Sequence, residues 1–250
     1  QKNKREIVYP DSDGKPMSDN TKQFNWIVKI KENLERMFDN NPDVFVAGDL
    51  LWYPVEGNNK IRIAPDAMVA FGRPKGDRGS YRQWEEGGIA PQAVFEILSP
   101  GNTPKEMKNK LIFYEKYSVE EYYLYDPDNI RLNGWIRSGD KLCEIENMQG
   151  WISPKLKIRF ELRADDLDIF DPDGNRFLST VELDKKYQVQ IQTERRKAET
   201  ERQKAESERQ KAEAEHQKAE SERQKAKAER RRADCLAAKL RALGIEPEEV

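Results

Sequence analysis

Asp66 directly after Pro65, Glu96 inside an apolar run, and Lys110 on the segment that follows are the side chains whose types and order could do chemistry together. Two carboxylates brought to one end of a sheet, with water and phosphate oxygens, can complete the octahedral oxygen shell that magnesium demands. A lysine beside them can orient or deprotonate an attacking water and offset charge on a phosphorane-like transition state. Those are the parts of metal-dependent phosphodiester hydrolysis. The spacing by itself is weak, because a Pro-Asp pair and a buried Glu occur in many proteins by chance. Asp66 could cap a turn, and Lys110 could be a surface lysine beside Lys105 and Lys108. Ala67, Met68, Val69 and Ala70 after Asp66 instead place it in a strand, where an unpartnered carboxylate is costly.

Composition closes off most other chemistries. The single histidine, His216, lies in a charged C-terminal stretch, which excludes Ser-His-Asp and Cys-His triads, histidine-based nucleases and His-ligated zinc. Cys143 and Cys235 stand 92 positions apart and form neither a zinc motif nor a plausible structural disulfide. With no signal peptide, a reduced cytoplasmic chain is expected. No apolar run approaches the roughly 20 residues of a membrane span, and no P-loop or Gly-x-Gly-x-x-Gly is present. The formal net charge of −2 names no partner.

The elements that must position these residues follow from periodicity and punctuation. Residues 1–17 are polar and turn-rich, an arm that is mobile or packs late as an edge segment. Ser18, Asp19 and Asn20 offer N-caps for a helix carrying Ile27, Ile30, Leu34, Met37 and Phe38, stopped by Asn40-Asn41-Pro42. Residues 44–55 and 61–71 read as a hairpin turned by Glu56-Gly57-Asn58-Asn59. A glycine-rich loop over 72–91 mixes Arg73, Lys75, Arg78 and Arg82 with Tyr81 and Trp84, as nucleic-acid grooves do, although a solvated loop docked by Trp84 fits nearly as well. Residues 93–98 suit a central strand, 103–117 a helix, and 121–125 a further strand closed by Asp126-Pro127. Short strands near 132–137, 142–146 and 156–160 read as a terminal antiparallel extension. That order is a mixed α/β sandwich.

The last third is different in kind. Between Glu194 and Asp234 there are 14 Lys/Arg and 11 Asp/Glu, with no Val, Ile, Leu, Met, Gly, Pro or aromatic residue, so this stretch cannot bury a core. Ala198, Ala205, Ala212, Ala219, Ala226 and Ala233 recur at seven-residue intervals, but the second core layer of a coiled coil is missing, since Glu201, Arg202, Glu208 and Arg209 stand there. Glu and Lys three or four apart each add about 0.3 kcal/mol, so a solvated single helix competes with a weak bundle. Ala233, Leu236, Leu240 and Leu243 form a short apolar seam before Gly244 and Pro247 end the helix. Either a homodimer or another protein partner could use it.

Ile-Ala-Pro-Asp at 63–66, Phe-Glu-Ile-Leu-Ser-Pro at 95–100, Lys110 four before Tyr114, and Val-Glu-Glu-Tyr-Tyr-Leu-Tyr-Asp-Pro at 119–127 resemble, in order, the Uma family of bacterial proteins classed as restriction endonucleases, a branch of the PD-(D/E)xK nuclease superfamily. The resemblance spans roughly residues 20–178. It implies a restriction-endonuclease-like α/β domain over 18–178, a mixed sheet flanked by helices; the long charged helical tail over 179–250, a possible coiled coil, is read from the repeat and lies outside the resemblance. The resemblance further implies Asp66 and Glu96 as ligands of magnesium, with manganese as a substitute, DNA as substrate, and a 5′-phosphate product. The superfamily pattern puts lysine two residues after the glutamate, where this chain has Leu98; the role passes to Lys110 on the next helix, with Glu106 one turn away on the same face.

Beside that reading, Ser99 and Asp126 are expected to serve turns and strand ends, and Gln23 and Asn25 to be solvated or capping rather than to reach a metal-bound water. Arg73, Lys75, Arg78 and Arg82 are the candidate substrate contacts. Two function classes stand: a metal-dependent DNA endonuclease, and a non-catalytic nucleic-acid-binding or scaffolding protein whose tail recruits partners, which Leu98 favours. The position of the Lys110 ammonium relative to the carboxylates separates them.

Overall fold

Asn20 opens the first helix, its side chain accepting from the Gln23 amide at 2.9 Å, and α1 (Thr21–Met37) runs from that cap. The computed structural model describes residues 7–14 and 16–243, and the chain divides into two units, 1–183 and 184–250. In the first, β1 (Val44–Ala47), β3 (Ala67–Phe71), β5 (Ala93–Ile97), β6 (Glu121–Asp126), β7 (Arg131–Ser138) and β8 (Lys141–Glu144) form one sheet in that spatial order. Only the β5–β6 pair is parallel. Between those two strands runs α2 (Pro104–Lys116), capped by Thr103, as a crossover connection requires.

The two-residue alternation of strands divides the core between the faces of this sheet. Trp26, Ile27, Ile30 and Leu34 of α1 pack with Val69, Phe95 and Tyr123. Met68, Val94 and Tyr122 face the other way and pack with Tyr114 of α2. Glu96 is two residues from Val94 and Asp66 two from Met68, so both carboxylates belong to the face that α2 covers.

Three expectations need correction. The hairpin over 44–71 is present but interrupted. β1 and β3 pair antiparallel from Val44↔Phe71 to Ala47↔Met68; beyond them Asp49 N donates to Pro65 O at 3.1 Å and the same register resumes at an isolated Trp52↔Ile63 bridge. Asp49 sits in the left-handed region at φ 48, and Pro65 has no amide to offer a ladder. The segment beyond the interruption, β2 (Trp52–Tyr53), pairs in parallel with β4 (Tyr81–Arg82). The loop over 72–91 is thus tied down rather than open. Of the terminal strands, only β7 and β8 extend the main sheet; the third lies at β9 (Arg159–Leu162) and pairs in a separate hairpin with β10 (Leu167–Phe170), which the sequence reading missed.

The described part of the N-terminal arm is docked. Tyr9 packs against Tyr53 and Trp84, with ring centroids 5.3 and 4.9 Å away. Tyr53 donates to Pro10 O at 2.6 Å and Asn59 Nδ2 to Val8 O at 2.7 Å.

The helix α3 (Thr180–Ala242) contains 63 residues, none buried, and would measure about 95 Å at 1.5 Å per residue. It opens on a reciprocal cap: Glu182 N donates to Ser179 Oγ at 3.3 Å, and Ser179 N to Glu182 Oε2 at 2.8 Å. Just before it, Asn33 grips the Leu178 peptide, donating to its carbonyl at 2.7 Å and accepting from its amide at 3.2 Å. Gly244 and Pro247, expected to end the helix, lie outside the described residues. No helix among the described residues is long and apolar enough to cross a membrane.

Candidate active site

The antiparallel register Ala67↔Phe95 sets Asp66, one residue earlier, opposite Glu96, one residue later. Asp66 is 8% exposed and Glu96 2%. Asp66 Oδ2 accepts from the Ile97 amide at 2.6 Å. Burial pushes its carboxyl well above the usual range and the nearby Glu96 charge pushes further, against the opposing pull of the Ile97 amide and Lys110. Glu96 accepts from Lys110 Nζ at 2.7 Å on one oxygen and from the Tyr114 hydroxyl on the other. Lys110 and Tyr114 are four apart, on one face of α2, which is why both reach the same carboxylate.

The side chain of Lys110 is 19% exposed. Burial lowers its pKa, but the charge and hydrogen bond of Glu96, with Asp66 and Glu106 behind them, outweigh that and leave it raised. Lys110 is therefore a proton-bearing cation here, suited to offsetting charge rather than to abstracting a proton from water. Its ammonium lies on the carboxylate and is not turned outward.

The sequence reading missed several groups at this place. The Tyr122 hydroxyl is buried without a hydrogen-bond partner among the described residues; burial, then the Glu96 and Asp66 charges, raise its pKa. Asp49 lies within the field of the pair: burial, Asp13 and Glu96 raise its carboxyl against Lys110. An aspartate held at positive φ beside two buried carboxylates is the sort of strain that collects at functional sites. Next to it a Cβ on Gly48 would sit tightly against Asp66 O at 3.3 Å, so a side chain there would push on the backbone that carries Asp66. Gln23 does reach the site, though by another route than the one weighed from sequence. Its Nε2 donates to Ile97 O at 2.9 Å and its Oε1 accepts from Asp19 N at 2.8 Å. The Ile97 peptide is consequently held at its amide by Asp66 and at its carbonyl by Gln23. Asn25 is exposed.

A cleft of about 600 Å³ opens over Asp66 and Lys110, with Asp13, Asp49, Lys60 and Arg62 among its walls. The loop cations predicted as substrate contacts do not line it. Arg73 and Arg78 both hold the buried Glu86, at 2.9 and 2.6 Å, and these two guanidiniums overcome burial to keep that carboxyl below its usual range. Arg78 also lies over the Phe45 ring at 3.9 Å. Arg82 pairs with Glu85 at 3.3 Å and Lys75 with Asp39 at 3.7 Å. Lys75 and Arg78 border a separate hollow of about 250 Å³ beside β1. Ser99 N donates to Asn102 Oδ1 at 2.9 Å within its turn, while Ser99 Oγ donates to Asp19 Oδ2 at 2.5 Å and ties that turn to the segment before α1; Asp126 accepts from the Asp128 and Asn129 amides, each at 3.1 Å, and serves a turn.

The donor set fits a hard divalent cation. Asp66 Oδ1 has no hydrogen-bond donor among the described residues, and each Glu96 oxygen, with one lone pair engaged, keeps another. Among the described residues no group of three acidic, His or Cys side chains is placed to hold a metal by itself. One or two carboxylates completed by water and substrate oxygens is the way magnesium is usually held.

No curated protein matches the chain. A family model described as "Helicobacter pylori protein of unknown function" matches residues 149–239, mostly the charged helix. Among solved structures, "a putative nuclease belonging to DUF820" from Anabaena variabilis is similar over 56% of this chain and 74% of its own, with 15% identity and a TM-score of 0.42. The fold described above rests on its own sheet order rather than on that overlap. The family model Uma2, "Putative restriction endonuclease", matches residues 13–165, which include Asp49, Asp66, Glu96 and Lys110 and make up more than half of the sequence, so this chain belongs to the Uma2 family.

Proposed function

We propose that this chain is a divalent-cation-dependent endonuclease that hydrolyses phosphodiester bonds of DNA, with Asp66, Glu96 and Lys110 as its catalytic residues. One observation carries the reading: Asp66 and Lys110 line an open cleft, and Glu96, buried directly behind them, raises the Asp66 carboxyl and binds the Lys110 ammonium. Asp66 and Glu96 would hold magnesium, with manganese as a substitute. A bound ion would supply Lewis acidity at the phosphoryl oxygens and would make its bound water more acidic than bulk water.

The chain's own residues do the rest. Tyr114 and Lys110 fix the two Glu96 oxygens, and the Ile97 peptide fixes Asp66. Lys110 offsets the negative charge that gathers on the phosphoryl oxygens as the water oxygen bonds to phosphorus and the bond to the 3′ oxygen breaks. The leaving 3′ oxygen takes a proton, and the product carries a 5′-phosphate. In a non-catalytic binding protein, the reading that Leu98 favours, the Lys110–Glu96 pair would serve stability alone, and nothing would call for Asp66 and Lys110 to line an open cleft.

The test is a cleavage assay on the full chain with supercoiled plasmid and single-stranded circular DNA. Nicked and linear products with 5′-phosphate ends are expected with magnesium or manganese and not with EDTA. Equal product in EDTA, or none with either cation, would contradict the proposal.

A further inference from the structure

Of the three cations on the cleft walls, Lys110 is committed to Glu96, whereas Lys60 and Arg62 form no ion pair among the described residues. Every loop cation expected to meet substrate has a carboxylate partner instead. Lys60 and Arg62 lie at the far end of the hairpin, beyond the interruption at Asp49 and Pro65 and next to the isolated Trp52↔Ile63 bridge. Arg62 is also oriented. Its Nη1 donates at 3.2 Å to the hydroxyl of Tyr53, a fully buried side chain. That hydroxyl in turn donates to Pro10 O of the docked arm at 2.6 Å. This engages one of the five guanidinium N–H groups and leaves the others for a two-pronged contact with phosphate.

We infer that Lys60 and Arg62 are the residues that grip the phosphate backbone of the nucleic acid at this cleft, with Tyr53 as the positioning residue for Arg62. The inference rests on the nuclease reading above. A polyanion approaching Asp49 and Asp66 meets an acidic wall, and among the described residues Lys60 and Arg62 are the cleft cations outside an ion pair that can offset it on the substrate's side. Backbone contacts of this kind set affinity and salt dependence without reading sequence.

The experiment measures binding of a fluorescent DNA duplex to the full chain by anisotropy between about 50 and 200 mM salt, with calcium in place of magnesium, alongside magnesium-dependent plasmid cleavage. Removing one phosphate contact lowers the slope of log affinity against log salt by about 0.9, which is roughly an eightfold loss at 0.1 M salt. R62Q is expected to show that change and K60Q/R62Q about twice it. R62K keeps the slope while binding more weakly, because a point charge replaces the fork. It also keeps the test decisive should R62Q melt early. Cleavage by the wild-type chain together with an unchanged slope in K60Q/R62Q would overturn this inference and leave the nuclease reading standing. A wild-type chain that neither binds nor cleaves would overturn both.

Discussion

Lys110 Nζ lies 2.7 Å from Glu96 Oε2, reaching from α2 onto a strand residue that is 2% exposed. The residue two beyond Glu96 is the apolar Leu98, so the cation beside this carboxylate comes from α2 rather than from the chain segment that carries the glutamate.

K110Q should reduce single-turnover cleavage by about 10²–10³-fold, the usual effect of removing one electrostatic donor from a transition state. It should also lower stability, because breaking a buried pair leaves Glu96 unpartnered at a cost of about 3–5 kcal/mol. Denaturant titration alongside kinetics separates the two effects. Wild-type rates in a folded K110Q would remove Lys110 from the mechanism.

Y114F removes the donor to the other Glu96 oxygen while keeping the ring that packs near Trp52 and Tyr122. Leaving a buried acceptor short of a donor costs about 1–3 kcal/mol. The expected outcome is a lower melting temperature and weaker magnesium dependence of cleavage, read as a higher half-saturating cation concentration. An unchanged cation profile would mean that Tyr114 serves packing alone.

Asp66 has a raised folded pKa, caused first by burial and then by Glu96. A raised carboxylate contributes stability that is present below its unfolded pKa and lost as pH rises through the folded value. Without divalent cation, D66N should therefore be more stable than wild type at neutral pH, the difference shrinking towards acid. Glu182 runs the opposite way. Burial alone would raise it, but the Ser179 amide, then Arg176, bring it down to about 2. Its contribution is present above an ordinary glutamate pKa and lost as pH falls through about 2. E182Q should flatten the acid limb of the stability profile in that window. Parallel thermal melts across pH report both signs.

Much of this arrangement is legible in the sequence because local signals and tertiary packing agree. Asn20 caps α1, Thr103 caps α2, and Asp66, Glu96 and Lys110 share a face through the periods of strand and helix. What could not be read depends on partners distant in sequence. Nothing local says that Arg73 and Arg78 will converge on Glu86. An Asp after Gly48 reads as a turn, and Tyr114 reads as one more apolar-face residue, so neither suggests a place beside Glu96. The hairpin looked continuous because alternation carries across Gly48-Asp49 and Pro65, whereas backbone geometry interrupts it there.

The charged helix leads to a prediction about assembly. It buries none of its 63 residues, and an alanine-only seam offers little area. Light scattering should find weak, concentration-dependent self-association that disappears when the chain ends after Leu183. The truncation keeps residues 178–183 because Asn33 holds Leu178 and Arg176 pairs with Glu182 at 2.8 Å. A dimer that survives the truncation unchanged would assign association to the first unit.

The most direct test of the central claim is magnesium-dependent nicking of supercoiled plasmid by equal amounts of wild type, D66A and E96A, each purified identically and shown to be folded by circular dichroism. Wild type should nick, and both variants should fall to background. Undiminished nicking by both variants would place the activity elsewhere and contradict the Asp66–Glu96 site.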